Sequence, residues 1–185
     1  MGYQAMDLAE AFRNYRKKIV GQWVDYTLST YASDKFFRKE KDAFANPIGG
    51  VTRESLDALF VLLAKNAQPE SFVAPIEKLM SIRAVQEFAP SQAVSPLHAV
   101  KHITRDILAA DKERSHLVAE LYDFEFAVDM AVLAAFDIYM KCRERLYSVR
   151  MEEMRSGRNI YTDSKCPSSL LGEKQKKTIG KVESH

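Results

Sequence analysis

Glycine and proline are scarce, with 7 and 6 residues in a chain of 185. That shortage disfavours a turn-rich β architecture, which needs them at its reversals. Only two cysteines occur, Cys142 and Cys166. One sits in an apolar helical register and the other in a polar stretch, so two unpaired thiols in a reducing cytoplasm are expected. No apolar run reaches the roughly 18 to 20 residues that span a bilayer. The opening stretch MGYQAMDLAEAFRNYRKK lacks the unbroken apolar core of a secretory signal, and no Ser or Thr follows Gly2 as myristoylation requires. Excess charge is missing too. The 27 Lys and Arg against 25 Asp and Glu leave a net charge of +2, which gives no push toward nucleic acid or an anionic membrane.

Catalytic signatures are equally thin. There is no CxxC, no HExxH, no serine in a nucleophile elbow and no glycine-rich loop to cradle phosphate. His98 and His102 lie four apart, so a helix would bring both imidazoles to one face, which is half of a metal site. Glu113-x-x-His116 is half of a helical carboxylate di-iron motif, and the second half is absent. Glu120, Asp123, Glu125, Asp129 and Asp137 are spread around a helix rather than stacked, which describes a solvated face. The expectation is a non-enzyme with no catalytic residue, no cofactor and no resident metal. The alternative is a haem- or metal-binding helical redox protein using His98 and His102.

What is present is helical periodicity. Hydrophobic residues make up 46% and aromatics 10%, enough for a globular core. Leu8, Ala11, Phe12, Tyr15, Ile19, Trp23, Tyr26 and Thr30 recur at spacings of three and four, so residues 5–31 form one helix or a helix pair. Residues 33–50 form an anchored loop with a short helix near 34–42, broken by Asn46-Pro47 and Gly49-Gly50. Thr52 caps the next helix, which runs to about Lys65. Pro69 opens another that leads to Phe88. Pro90 then stops the chain, and Ser91 caps a helix through about Ala110. The last helix runs from Ser115 to about Arg155, some 60 Å at 1.5 Å per residue. Along it Leu117, Leu121, Phe124, Val128 and Ile138 follow a heptad-like seam that Leu146 continues after a shift. That seam is the expected interface of a homodimer. The fold class is all-α: a helical bundle of residues 1–156 with a long C-terminal helix, followed by a polar tail over 157–185.

The middle of the chain resembles a known family. FANPIGGVTRESLDALFVLL (44–63) and IEKLMSIRAVQEFAPSQAVSPLHAVKHITRDIL (76–108) are similar to the N-terminal domain of RsbRD-type RsbT co-antagonist proteins. The most specific pieces are Phe44-x-Asn46-Pro47 and the run Arg83-Ala84-Val85-Gln86 leading to Pro90-Ser91-Gln92, with the Trp23 helix before them. The resemblance covers roughly residues 8 to 145. It implies a sensory or regulatory input domain of the stressosome type, with a globin-like helical fold that carries no haem. It also implies a homodimer whose final helix passes a signal onward to a protein partner. No phosphorylatable or kinase module follows Arg155, so a stand-alone version is expected, with protein contact as its output. Trp23, Phe44, Asn46, Arg83, Gln86, Ser91 and Gln92 are the candidate corner or ligand pocket.

Overall fold

The structure is a computed structural model that describes residues 2–32, 34–40, 45–86 and 88–156, and the side chains of all of these except 2–7 and 34. Its helices are α1 (Gly2–Ser29), α2 (Asp34–Lys39), α3 (Pro47–Ala64), α4 (Val73–Val85), α5 (Pro90–Val94), α6 (Ala99–Ala109) and α7 (Tyr122–Arg155). No strand occurs among the described residues, and the fold is an all-α bundle with a long C-terminal helix. The chain divides into two compact units, Met1–Glu144 and Arg145–His185. In the second unit, residues 145–156 are helical and exposed throughout, apart from a turn at Ser156. The tail over 157–185, with Cys166, lies outside the described residues.

In the first unit α1 packs against α3 and α6, and α3 packs against α4. The apolar periodicity of the sequence explains this order. On α3, Ser55, Leu56, Leu59, Phe60 and Leu63 are buried at three- and four-residue steps, so one face of the helix enters the core. Phe12 of α1 meets Phe60 of α3 and Phe124 of α7 with ring centroids 5.9 and 5.0 Å apart. Gly21 does not break α1, which is a single helix. An exposed glycine inside a helix costs only about 1 kcal/mol relative to alanine, less than the packing of Ile19, Trp23 and Leu28 on either side of it supplies.

Several helix starts differ from the sequence reading. Helix α3 begins at Pro47, not after Thr52, because Asn46 is its cap: Asn46 Oδ1 accepts from Gly49 N at 2.8 Å. Pro47 at the first helical position sacrifices only an N–H that would be unpaired there anyway. Gly49 is needed for clearance, since a Cβ on it would stand 2.3 Å from Asn46 Nδ2. Thr52 is buried inside the helix and donates to Ile48 O at 2.7 Å. The end near Lys65 is as read. Asn66 takes φ 48°, and the bonds Ala67 N to Leu62 O and Asn66 N to Leu63 O, both 3.0 Å, close a Schellman cap.

The second difference is at Ser91. Helix α5 starts at Pro90 with Ala89 in the cap position, which leaves Ser91 already inside the helix and exposed. The open Ala89 N–H is taken by Gln92 Oε1 at 3.0 Å instead. Pro96 then removes a backbone donor, and the chain tightens into a 3₁₀ turn (Ser95–His98) before α6, as a missing N–H favours. Ser115–Glu120 is likewise a 3₁₀ turn, so the last α-helix begins at Tyr122 and not at Ser115, just as Pro69–Phe72 is a 3₁₀ turn ahead of α4.

Asn46 does more than cap. Its Nδ2 donates to Phe37 O at 2.9 Å and Glu40 O at 2.8 Å, tying the end of α2 to the start of α3. Replacing Asn46 with alanine is expected to lower unfolding free energy by about 2 kcal/mol, a cap plus buried hydrogen bonds. Urea denaturation followed by circular dichroism measures this directly. A loss below about 0.5 kcal/mol, the range of an ordinary surface change, would show that Arg53, which also donates to both carbonyls at 3.3 Å, suffices alone.

Candidate functional site

The segment from Arg83 to Pro96 is a corner where four helices meet. Arg83, near the end of α4, is fully buried. Its Nε donates to Ala93 O at 2.8 Å, and its Nη2 to Gln92 O and Thr30 Oγ1, each at 3.1 Å. The guanidinium carbon lies 4.4 Å from the Phe88 ring centroid and 4.9 Å from that of Tyr31, so aromatic faces also meet the charge. Every one of these partners is neutral. Burial pulls the Arg83 pKa below its ordinary value and pushes that of Tyr31 up, because each charged form loses its water.

Other helices grip the same corner. Trp23 of α1, also fully buried, donates its indole N–H to Pro96 O at 2.9 Å. From α7, the Tyr139 hydroxyl donates to Phe88 O at 2.7 Å, and Arg143 Nη1 to Ala84 O at 2.9 Å. Tyr31 stacks edge-on against Phe88 and against Phe37 of α2, with centroids 5.4 and 5.5 Å apart. The aromatic chain therefore leads from the Asn46 joint to the Arg83 corner.

Of the residues singled out in the sequence, Arg83, Gln92 and Trp23 come together here. Gln86 contributes its carbonyl, 3.5 Å from Arg143 Nη1. Ser91 faces solvent, Asn46 serves the neighbouring joint, and Phe44 lies outside the described residues. Tyr31, Thr30, Tyr139 and Arg143 belong to the corner and were not singled out for it. Their signal is faint: Tyr139 and Arg143 are a polar pair four apart on one side of an apolar helix.

The histidines are elsewhere. His98 closes the 3₁₀ turn and His102 is on α6, both exposed. His98 Nδ1 is 3.7 Å from Asp129 Oδ1, a carboxylate that already accepts from Lys101 Nζ at 2.9 Å. Among the described residues no group of three His, Cys, Asp or Glu could hold a metal ion, and no helix is long and apolar enough to cross a membrane. Two surface clefts, of about 560 and 300 Å³, are lined by residues of α1, α2 and α3 and include none of the corner.

The seam residues Leu117, Leu121, Phe124 and Val128 are buried inside the first unit. Ile138 is partly buried against the same core, whereas Leu146, in the second unit, is exposed. A second apolar row on α7 is open. Tyr122, Phe126 and Leu133 are 76%, 56% and 62% exposed, and Phe136 is also exposed. Phe126 and Leu133 stand seven residues apart, and Tyr122 and Phe136 fall four and three residues from them in the same frame; Asp129, paired with Lys101, lies between Phe126 and Leu133, and Met140, seven beyond Leu133, is partly buried against the core.

Comparison with curated proteins and with solved structures returned no match. The family match runs from α1 through the corner to the penultimate residue of α7, and therefore takes in both the Arg83 cluster and the outer row. Residues 17–154 match the RsbT co-antagonist protein rsbRD N-terminal domain, and the chain belongs to that family.

Proposed function

We propose that the protein is a non-enzymatic sensory or regulatory input domain of the stressosome type, working as a homodimer and signalling through α7. Family membership supports the input role. The outer row of α7 is the observation that carries the rest. Large apolar side chains on a helix seldom stay wet in such a regular line. A seven-residue repeat matches another helix with the same repeat, and α7 of a second copy presents one. The contact is isologous: one patch serves both partners around a two-fold axis.

The corner supplies the input side. Tyr139 and Arg143 hold carbonyls of residues 84 and 88, so a change in the Arg83–Phe88 packing alters what α7 can bond to. A ligand works such a device only by binding one packing arrangement better than the other.

The test is the oligomeric state. Sedimentation of the full chain is expected to give a dimer, and Leu133→Asp a folded monomer with dimer affinity reduced at least a hundredfold. A wild-type monomer across the concentration range, or an unchanged dimer in Leu133→Asp, would remove this interface.

A further inference from the structure

We propose that the corner binds one small monovalent anion between Arg83 Nη1 and the Tyr31 hydroxyl. The proposal rests on the input role given above for the corner, and it names the ligand class.

The donor count carries it. A guanidinium has five N–H groups. The Nε and Nη2 groups of Arg83 are engaged by Ala93 O, Gln92 O and Thr30 Oγ1, and Nη1, with its two N–H, is buried without a partner. The Tyr31 hydroxyl is buried and unpartnered as well. Arg83 and Thr52 both come within reach of that hydroxyl, at a distance or angle short of a well-formed hydrogen bond. Two unpaired donors on a cation and a third on a phenol therefore sit together, with the Tyr31 ring against the guanidinium.

Charge points the same way. A fully buried arginine is ordinarily matched by a carboxylate, since an unpaired buried ion costs several kcal/mol. No ion pair of Arg83 exists among the described residues. Carbonyls and aromatic faces soften the charge without cancelling it. A water molecule is a poor match for this set. It accepts two hydrogen bonds, which leaves the third donor open, and its own two hydrogens would need acceptors. A halide or a formate-sized carboxylate accepts all three and neutralises the cation.

The Phe88 ring covers the buried guanidinium, its centroid 4.4 Å from the central carbon, so entry from that side moves the ring. Phe88 O is the carbonyl that Tyr139 of α7 holds. Anion entry and the packing of α7 are thereby coupled through one residue.

The experiment uses the full chain at constant ionic strength, exchanging sodium sulfate for sodium chloride, nitrate or formate. The melting temperature of wild type, relative to that of Tyr31→Phe in the same salt so that the general stabilisation by sulfate cancels, is expected to rise with the logarithm of the monovalent anion concentration, as linkage to a native-state site requires. Tyr31→Phe keeps the ring and removes one donor, and should weaken binding about tenfold, the effect of one charge-assisted hydrogen bond. Line broadening of the chloride-35 resonance reads the same site without melting the protein. Preference for chloride or for formate identifies the anion type; either supports the site. Equal melting in all salts, or a Tyr31→Phe protein that titrates like wild type, overturns it. The same titration on monomeric Leu133→Asp separates the two readings. Binding retained there upholds the anion site whether or not the dimer exists, and salt-independent sedimentation of an anion-bound wild type would sink only the coupling to α7.

Discussion

Arg83→Ala is expected to unfold with a free energy about 3–5 kcal/mol below wild type. Three hydrogen bonds from the buried guanidinium disappear, and bonds to a charged group are worth about 1.5–3 kcal/mol each. Contact with two aromatic rings is lost as well, at about 2 kcal/mol when desolvated. A cavity adds to the cost, because side chains around a fully buried position relax only in part. One term opposes these: a buried charge no longer has to be kept from water, which returns several kcal/mol. The carbonyls of Gln92 and Ala93, left without a donor, decide the sign. Arg83→Met separates the contributions, since it fills much of the volume and removes only charge and hydrogen bonds. A loss near 1–2 kcal/mol is expected for it, read from chemical denaturation. If Arg83→Met were more stable than wild type, the three hydrogen bonds would not repay the burial of the charge. An Arg83→Ala loss below about 1 kcal/mol would contradict the burial itself.

The second large effect is at Leu121. Leu121→Asp is expected to abolish the cooperative thermal transition rather than merely dissociate a dimer. Leu121, at the turn just before α7, is fully buried and belongs to the single hydrophobic core of the first unit. A carboxylate there has no designed partner, and burying an unpaired polar or charged group costs well over 4 kcal/mol. That approaches the whole stability of about 5–15 kcal/mol for a domain. Leu133→Asp, twelve residues on and exposed, should keep the native circular dichroism spectrum. The pair tests which row of α7 faces inward. A Leu121→Asp protein that stayed folded and only lost its partner would place that row at the interface instead.

The contrast explains why periodicity found α7 but left its orientation open. Two apolar rows run along this stretch, one through Leu121, just before α7, with Phe124 and Val128, the other through Phe126, Leu133 and Phe136. Both have heptad spacing, and nothing local ranks one above the other. The inward row is chosen by Phe12 and Phe60, whose rings meet Phe124 at centroid distances of 5.0 and 6.2 Å. These residues are far away in sequence. Period alone gives the stripe and not its neighbour.

The joints show the same division on a smaller scale. Asn46-Pro47 was legible as punctuation, but whether it ends a segment or starts a helix depends on Gly49 leaving room for the Asn46 side chain. Ser91 has the right chemistry for a cap, yet Pro90 sets the helix start one residue earlier and Gln92 closes the turn. Arg83 stood out within its motif. Its complete burial was not legible, because arginine is rarely buried and its aromatic cover, Tyr31 and Phe88, comes from either side of the corner.

The amino-acid order by itself determined the all-α class, the presence of a long C-terminal helix ending at Arg155, the end of α3 and the importance of residues 83–92, because each follows from interactions within a few turns of chain. Tertiary structure alone decided which face of α7 is spent on the core, which of several polar residues is sealed from water, and that Tyr139 and Arg143 reach the corner. Those outcomes depend on contacts across 50 or more residues, where burial and desolvation, not local propensity, set the free energy.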